Sequence, residues 1–258
     1  MRNLVCLIIL GSVLAVSGCG GSNKKAPEQK SAAALYSEAR LNITQSDYDH
    51  AIESLNAIEA RYPLDQHASK ALLALVYANF MKEDYTLAQA TSERFIQLYP
   101  KNRHVDYAYY MKGLSHYFED ILYFDRYFEK TRGYRDMTHS QMSFFEFGQF
   151  IKRFPGSRYA PDAHKRMIFL RNQLAVHEIE AADYYYDRAA YVAAARRYTR
   201  VVLDFHQTTQ VPQALYGLSK TYEQMGLKDL AKTSADVLQY NYPQSIWAQK
   251  LSKTKEQK

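Results

Sequence analysis

An aromatic residue followed by proline punctuates the chain at Tyr62-Pro63, Tyr99-Pro100, Phe154-Pro155 and Tyr242-Pro243, and Phe205-His206 fills a fifth slot without the proline. The steps from Pro63 to Pro100 and from His206 to Pro243 are both 37 residues, room for two helices of about 14 residues with their turns. Twelve residues before each mark stands a small residue: Ala51, Ala88, Ser143, Ala194 or Ala231. A small side chain lets two helix backbones come close, and proline ends the second helix of each pair. The spacing predicts an all-α chain built from repeated helix pairs.

The segments between the marks carry helical periodicity. Leu72, Leu75, Val76 and Asn79 form one stripe, and Leu215, Leu218, Ser219 and Tyr222 its counterpart near the C-terminus. Length, small residue and terminal proline resemble the tetratricopeptide repeat in a degenerate form. Its Trp, Gly and Tyr signature positions hold Leu35, Ala39 and Asn42 in the first unit. The resemblance implies five antiparallel helix pairs, ending near residues 63, 100, 155, 206 and 243, stacked into a right-handed superhelix.

Two units are long. The third spans 55 residues, an excess of 18, and the stretch from Asp120 to Thr138 with Gly133 breaks the pattern, so a protruding loop between helices is expected there. The fourth spans 51, an excess of 14, about four helical turns, which keeps the apolar face in phase. Pro161 and Asp162 suit a first turn and nothing from there to Arg188 breaks a helix, which predicts a single rod of about 40 Å. Units 1–3 then occupy residues 32–155, units 4 and 5 residues 156–243, and a tail residues 244–258.

Ahead of the repeats, Met1-Arg2-Asn3 and the apolar run Leu4 to Val16 lead through Ser17-Gly18 to Cys19. The run is too short to span a bilayer and has the layout of a secretory signal, residues 1–18, removed on export. Small residues running straight into cysteine resemble a lipobox, which implies that Cys19 becomes the lipidated N-terminus. Each buried methylene adds about 0.8 kcal/mol, so several acyl chains hold a protein at the membrane where one does so marginally. Gly20, where Asp would resemble an inner-membrane retention signal, favours the outer membrane. Residues 19–31, with Lys24, Lys25 and Pro27, read as a flexible linker. Cys6 is the only other cysteine, so the exported body is held by its own core without disulfides.

Loss of Arg2 takes the formal net charge from +6 to +5. No basic run concentrates this charge, so nucleic acid is not an expected partner. Nor does an enzyme signature emerge. His177-Glu178-Ile179-Glu180-Ala181 has the first half of a zinc-protease helix but alanine at the second ligand, and reads as an exposed helix face. Gly217-Leu218-Ser219-Lys220-Thr221 is no phosphate loop, Glu119-Asp120 point apart, and the eight histidines are scattered singly. No metal site and no cofactor are expected.

Aromatic residues are the compositional anomaly: 23 Tyr and 12 Phe against one Trp. If the Leu72 stripe faces the neighbouring helix, then Leu73, Tyr77, Phe80 and Met81 occupy the adjacent stripe, with Tyr36, Arg40 and Ile43 in the first unit. Tyr107, Tyr110, Leu114, Tyr117 and Phe118 are the third unit's share. Such an aromatic trough suits an extended peptide with aromatic side chains.

Further elements are similar to the BamD family, the ComL-type outer-membrane assembly lipoproteins, over essentially the whole chain. They include Arg61-Tyr62-Pro63, Leu87-Ala88-Gln89-Ala90, Tyr110-Met111-Lys112-Gly113-Leu114, Lys165-Arg166 and Tyr184-Tyr185 with Arg188-Ala189-Ala190-Tyr191. Arg132, Arg135 and Asp136 in the insertion continue the likeness. Phe205-His206 and Ala190 depart from the family pattern. The resemblance implies a non-catalytic subunit of the machinery that folds β-barrel proteins into the outer membrane, lipid-anchored and facing the periplasm. Its C-terminal half would meet the periplasmic domains of the barrel subunit BamA through Arg197, with Arg196 and Arg200 beside it, in company with other assembly-machine lipoproteins. Its N-terminal half would take the aromatic-ended strand of unfolded outer-membrane clients. A tetratricopeptide lipoprotein regulating peptidoglycan synthesis or division, and a DNA-uptake factor, are the rival readings.

Overall fold

The computed structural model describes residues 29–127 and 136–256. The expected signal segment, Cys19, Arg132 and Arg135 lie outside the described residues. Five helix pairs follow in order. They are α1 (Ala32–Thr44) with α2 (Tyr48–Arg61), α3 (Ala68–Met81) with α4 (Tyr85–Leu98), α5 (Val105–Tyr127) with α6 (Thr138–Arg153), α7 (Ala160–Asp187) with α8 (Tyr191–Asp204), and α9 (Val211–Gln224) with α10 (Lys228–Asn241). The expected tail folds as α11 (Ile246–Glu256), which packs Ala248 and Leu251 against α9 and α10. No strand occurs among the described residues. No described helix is long and apolar enough to cross a membrane.

Each helix packs on its neighbours in sequence, and first helices also touch first helices: α1 with α3, α3 with α5, α7 with α9. All five small residues predicted at the crossings are buried. In the third unit the approach is closest where Ser143 Oγ donates to the Gly113 carbonyl at 2.9 Å. A Cβ on Gly113 would sit 2.9 Å from Phe147 Cδ1. Phe95, Phe147 and Phe150 fill the crossings at 0 % exposure, each burial contributing about 1.5–3 kcal/mol. Lys112 ties three helices together, reaching Glu93 Oε2 on α4 at 2.7 Å and Glu146 Oε1 on α6 at 2.9 Å.

The aromatic of each mark is the residue that closes its helix. Tyr62, Tyr99, Phe154 and Tyr242 leave helical geometry at φ between −128° and −133° with ψ between 48° and 59°, outside the α region that a following proline disfavours. Phe205, followed by His206, stays nearer the helix at φ −118°, ψ 30°, and still closes α8 through its N–H to the Val201 carbonyl. Within four units the turn between helices uses a left-handed residue two positions before the second helix: Ser46, Glu83, Ala189 and Gly226. Only Gly226 adopts it without steric cost. Asp47 and Asp84 offset part of it by accepting from the amides of His50 and Leu87.

The two long units differ. α7 runs 28 residues against the 14 of most repeats, or about 42 Å, the predicted rod. The third unit departs from the expected loop, because α5 runs on to Tyr127. Ile121-Leu122-Tyr123-Phe124 contains no breaker, and Gly133 is the first. Asp136 serves α6 locally, accepting from the Thr138 amide at 2.9 Å and its hydroxyl at 2.6 Å.

Candidate functional site

Stacking α1, α3 and α5 side by side opens a groove of about 800 Å³. Five of the eight predicted trough residues line it: Tyr36 and Arg40 from α1, Leu73 and Tyr77 from α3, and Tyr107 from α5, together with Ile43. Tyr36 leans on His67 with ring centres 5.7 Å apart, and His67 Nδ1 is 2.7 Å from Asp65 Oδ1. Burial and the neighbouring Tyr159 push the Tyr107 hydroxyl well above its ordinary pKa, so it acts as a neutral hydrogen-bonding group. Arg40, Lys70 and Arg103 add three basic side chains to the wall, and no carboxylate lines it.

Phe80, Tyr110 and Tyr117 do not line this groove. Three residues along a helix turn a side chain about 60° away from its starting face, enough to carry Phe80 and Tyr110 from the rim into packing. Phe80 meets Tyr85 and Phe118 at 5.2 and 5.4 Å. Tyr110 stacks on Tyr159 at 4.8 Å and donates its hydroxyl to Asp162 Oδ2 at 2.7 Å. Burial and that carboxylate push it up to about 12. Tyr117 lies under the Arg166 guanidinium at 4.6 Å. Arg166 Nε in turn donates to Asp162 at 2.6 Å. Burial opposes ionisation of Asp162, but the Arg166 and Tyr110 hydrogen bonds hold its carboxyl below the usual range. The sequence reading missed Lys70, Asn102, Arg103 and His104, because they come from the first turn of α3 and from the turn before α5. The only signal for the turn residues is their place directly after a proline mark.

Arg196, Arg197 and Arg200 share one face of α8 around a shallow pocket of about 600 Å³, with Tyr185, Leu203 and Asp204. Arg197 Nη1 donates to Glu178 Oε2 at 3.0 Å and Arg200 Nη1 to Glu178 Oε1 at 2.8 Å. Glu178, read from the sequence as part of an exposed face, is buried at 3 % exposure and holds both guanidiniums. The helix turns Glu178 inward because α8 covers that side of α7, where Ala175, Ile179 and Ala182 are buried. Asp204 Oδ2 also lies 3.6 Å from Arg200 Nε, so three guanidiniums against Glu178 and Asp204 leave the face mildly basic, and Arg196 on it is exposed. A smaller cavity of about 320 Å³ lies between Asp183, Tyr198, Gln213, Tyr216 and Trp247. There Tyr198 donates to Asp183, whose carboxyl burial pushes up.

The histidines are less scattered than the sequence suggests. His116 and Glu119 on α5 meet His139 in the first turn of α6, with one ligand atom from each lying within 4.8 Å of the others.

Residues 28–238 match the YfiO family of outer membrane lipoproteins. The outer membrane protein assembly factor BamD of Pasteurella multocida is 34 % identical over 242 residues, covering 93 % of this chain and 92 % of its own. BamD of Vibrio cholerae is 33 % identical, covering 90 % and 97 %, and BamD of Neisseria meningitidis serogroup A 31 %, covering 95 % and 93 %. Among solved structures, MamA aligns over 81 % of this chain and 90 % of its own with TM-score 0.32 and 16 % identity, too distant to bear on the fold. With the repeat spacing, the helix pairs and near-full-length similarity in agreement, the chain belongs to the YfiO family of outer membrane lipoproteins, the family of the BamD assembly factors.

Proposed function

We propose that the chain is a non-catalytic assembly factor for outer-membrane β-barrel proteins, held to the outer membrane by lipid on Cys19 with its body in the periplasm. The N-terminal groove takes the terminal strand of an unfolded client. The observation that carries this is the pairing of Tyr36, Tyr77 and Tyr107 with Arg40, Lys70 and Arg103 in a wall without a carboxylate. Tyrosine supplies broad contact area at low entropy cost, and clustered cations attract a chain that ends in a carboxylate. An extended peptide ending in an aromatic residue with a free terminus presents both chemistries.

The α8 face is the docking surface for the periplasmic domains of BamA. Glu178 fixes the fork geometry of Arg197 and Arg200, so that their outer donors and Arg196 meet an acidic partner loop without first losing rotamer freedom. Other lipoproteins of the machine attach to the same scaffold.

Fluorescence anisotropy with a labelled peptide from the C-terminus of a barrel protein tests the groove. Replacing the terminal carboxylate by an amide removes one charge-assisted contact, and affinity is expected to fall on the order of tenfold. Equal binding of acid and amide forms, or equal binding by a Tyr77→Ala variant, would overturn the assignment.

A further inference from the structure

We propose that His116, Glu119 and His139 form a divalent-metal site of the zinc type at the neck of the insertion between α5 and α6. The three residues come from the two helices that flank the insertion, with ligand atoms within 4.8 Å of one another. His139 Nδ1 and Glu119 Oε2 are 3.4 Å apart. Two ligands bonded to one tetrahedral zinc at about 2.0–2.2 Å stand roughly 3.3–3.6 Å from each other, so this pair already has the spacing of adjacent ligands.

Two further features point inward to a ligand. His116 is buried at 3 % exposure. Its Nδ1 has no hydrogen-bond partner, while Nδ1 of His139 has only the 3.4 Å contact with Glu119. A buried ring nitrogen left without a hydrogen bond is unusual, and His116 is such a residue within ligand distance of Glu119 and His139. Glu119 is also oriented as a ligand, because Thr86 Oγ1 on α4 donates to Oε1 at 2.9 Å while Oε2 lies toward His139. That outer contact is the kind that fixes ligating carboxylates. Two imidazoles and one carboxylate are a donor set of known zinc sites with an open position. Three protein ligands leave a fourth position for water. Bound there, the ion would pin the middle of α5 to the first turn of α6.

Cobalt titration of the untagged, chelator-stripped full chain tests the site. Visible d–d absorption without a thiolate charge-transfer band is expected, with displacement by zinc and a thermal midpoint that rises with added zinc. Glu119→Gln and His139→Gln should each weaken cobalt affinity by about tenfold or more, while the exposed His50→Gln leaves it unchanged. His116→Gln should do the same. If that buried change prevents folding, the two less buried variants decide alone, with circular dichroism verifying their fold. Absence of the absorption and of the thermal shift, a thiolate band alone, or binding that Glu119→Gln and His139→Gln both leave intact would each overturn the proposal.

Discussion

Gly217 on α9 is the glycine with the least room among the described residues, and replacing it with alanine tests the packing of α9 on α8. A Cβ built there lies 2.4, 2.5 and 2.7 Å from the Tyr198 ring. Tyr198 is 3 % exposed and its hydroxyl is fixed on Asp183, so the ring cannot yield without giving up that bond. Overpacking of this kind costs about 1–3 kcal/mol, against a helix-propensity gain of about 1 kcal/mol for alanine over glycine. With the Tyr198–Asp183 bond strained as well, the net expectation is a destabilisation of about 2 kcal/mol. For a body of this size that lowers the thermal midpoint by roughly 4–8 °C. Gly148 on α6 is the internal control, because its added Cβ meets nothing closer than Met167 Cε at 3.7 Å. There the propensity gain stands unopposed, and Gly148→Ala should stabilise by up to about 1 kcal/mol. Thermal and urea unfolding followed by circular dichroism reads both. A Gly217→Ala protein as stable as the parent would refute the close crossing of α8 and α9.

Other outcomes follow from the same contacts. Glu178→Gln removes the buried carboxylate from two arginines that are themselves about two-fifths exposed, so water recovers part of the loss and about 2 kcal/mol of stability should go. Urea unfolding measures it. Arg197→Glu sets a second carboxylate beside Glu178 and should abolish co-purification with BamA, whereas unchanged co-purification would exclude this face as the contact. Asp162, held low by Arg166 and Tyr110, contributes stability that is present above the ordinary carboxylate pKa and lost as pH falls through the depressed one. Asp162→Asn should therefore flatten the acid limb of a stability-versus-pH curve. Arg40→Ala should weaken binding of the carboxylate-ended peptide and leave its amide form nearly unaffected.

Most of the scaffold was legible because its causes are local. Proline dictates the conformation of the residue before it, and the small residue twelve earlier marks the crossing, so five helix pairs could be counted from spacing. The left-handed turns were not legible, since Ser46, Glu83 and Ala189 carry no signature and only Gly226 announces itself. α11 was missed because it lies beyond the last proline mark and outside the repeat count. The site divides along the same line. Tyr36, Arg40, Leu73, Tyr77 and Tyr107 fall on a face that helical periodicity defines, while Lys70, Arg103 and His104 reach the groove through unit-to-unit stacking. Phe80, Tyr110 and Tyr117 show the reverse: a few residues of drift turn a groove position into one packed against neighbouring rings. The Glu178 pair and the His116–His139 meeting join different helices, which one-dimensional spacing does not reveal.

The central claim is that the cleft across α1, α3 and α5 holds incoming barrel strands. A photo-crosslinking amino acid placed at Tyr77 in growing cells, with Leu87 on α4 as the control position, tests it directly. The expected adduct joins the chain to unfolded outer-membrane β-barrel proteins at position 77 and not at 87. An adduct at position 77 only with a cell-wall synthase or with DNA, or equal client yields at both positions, would contradict it.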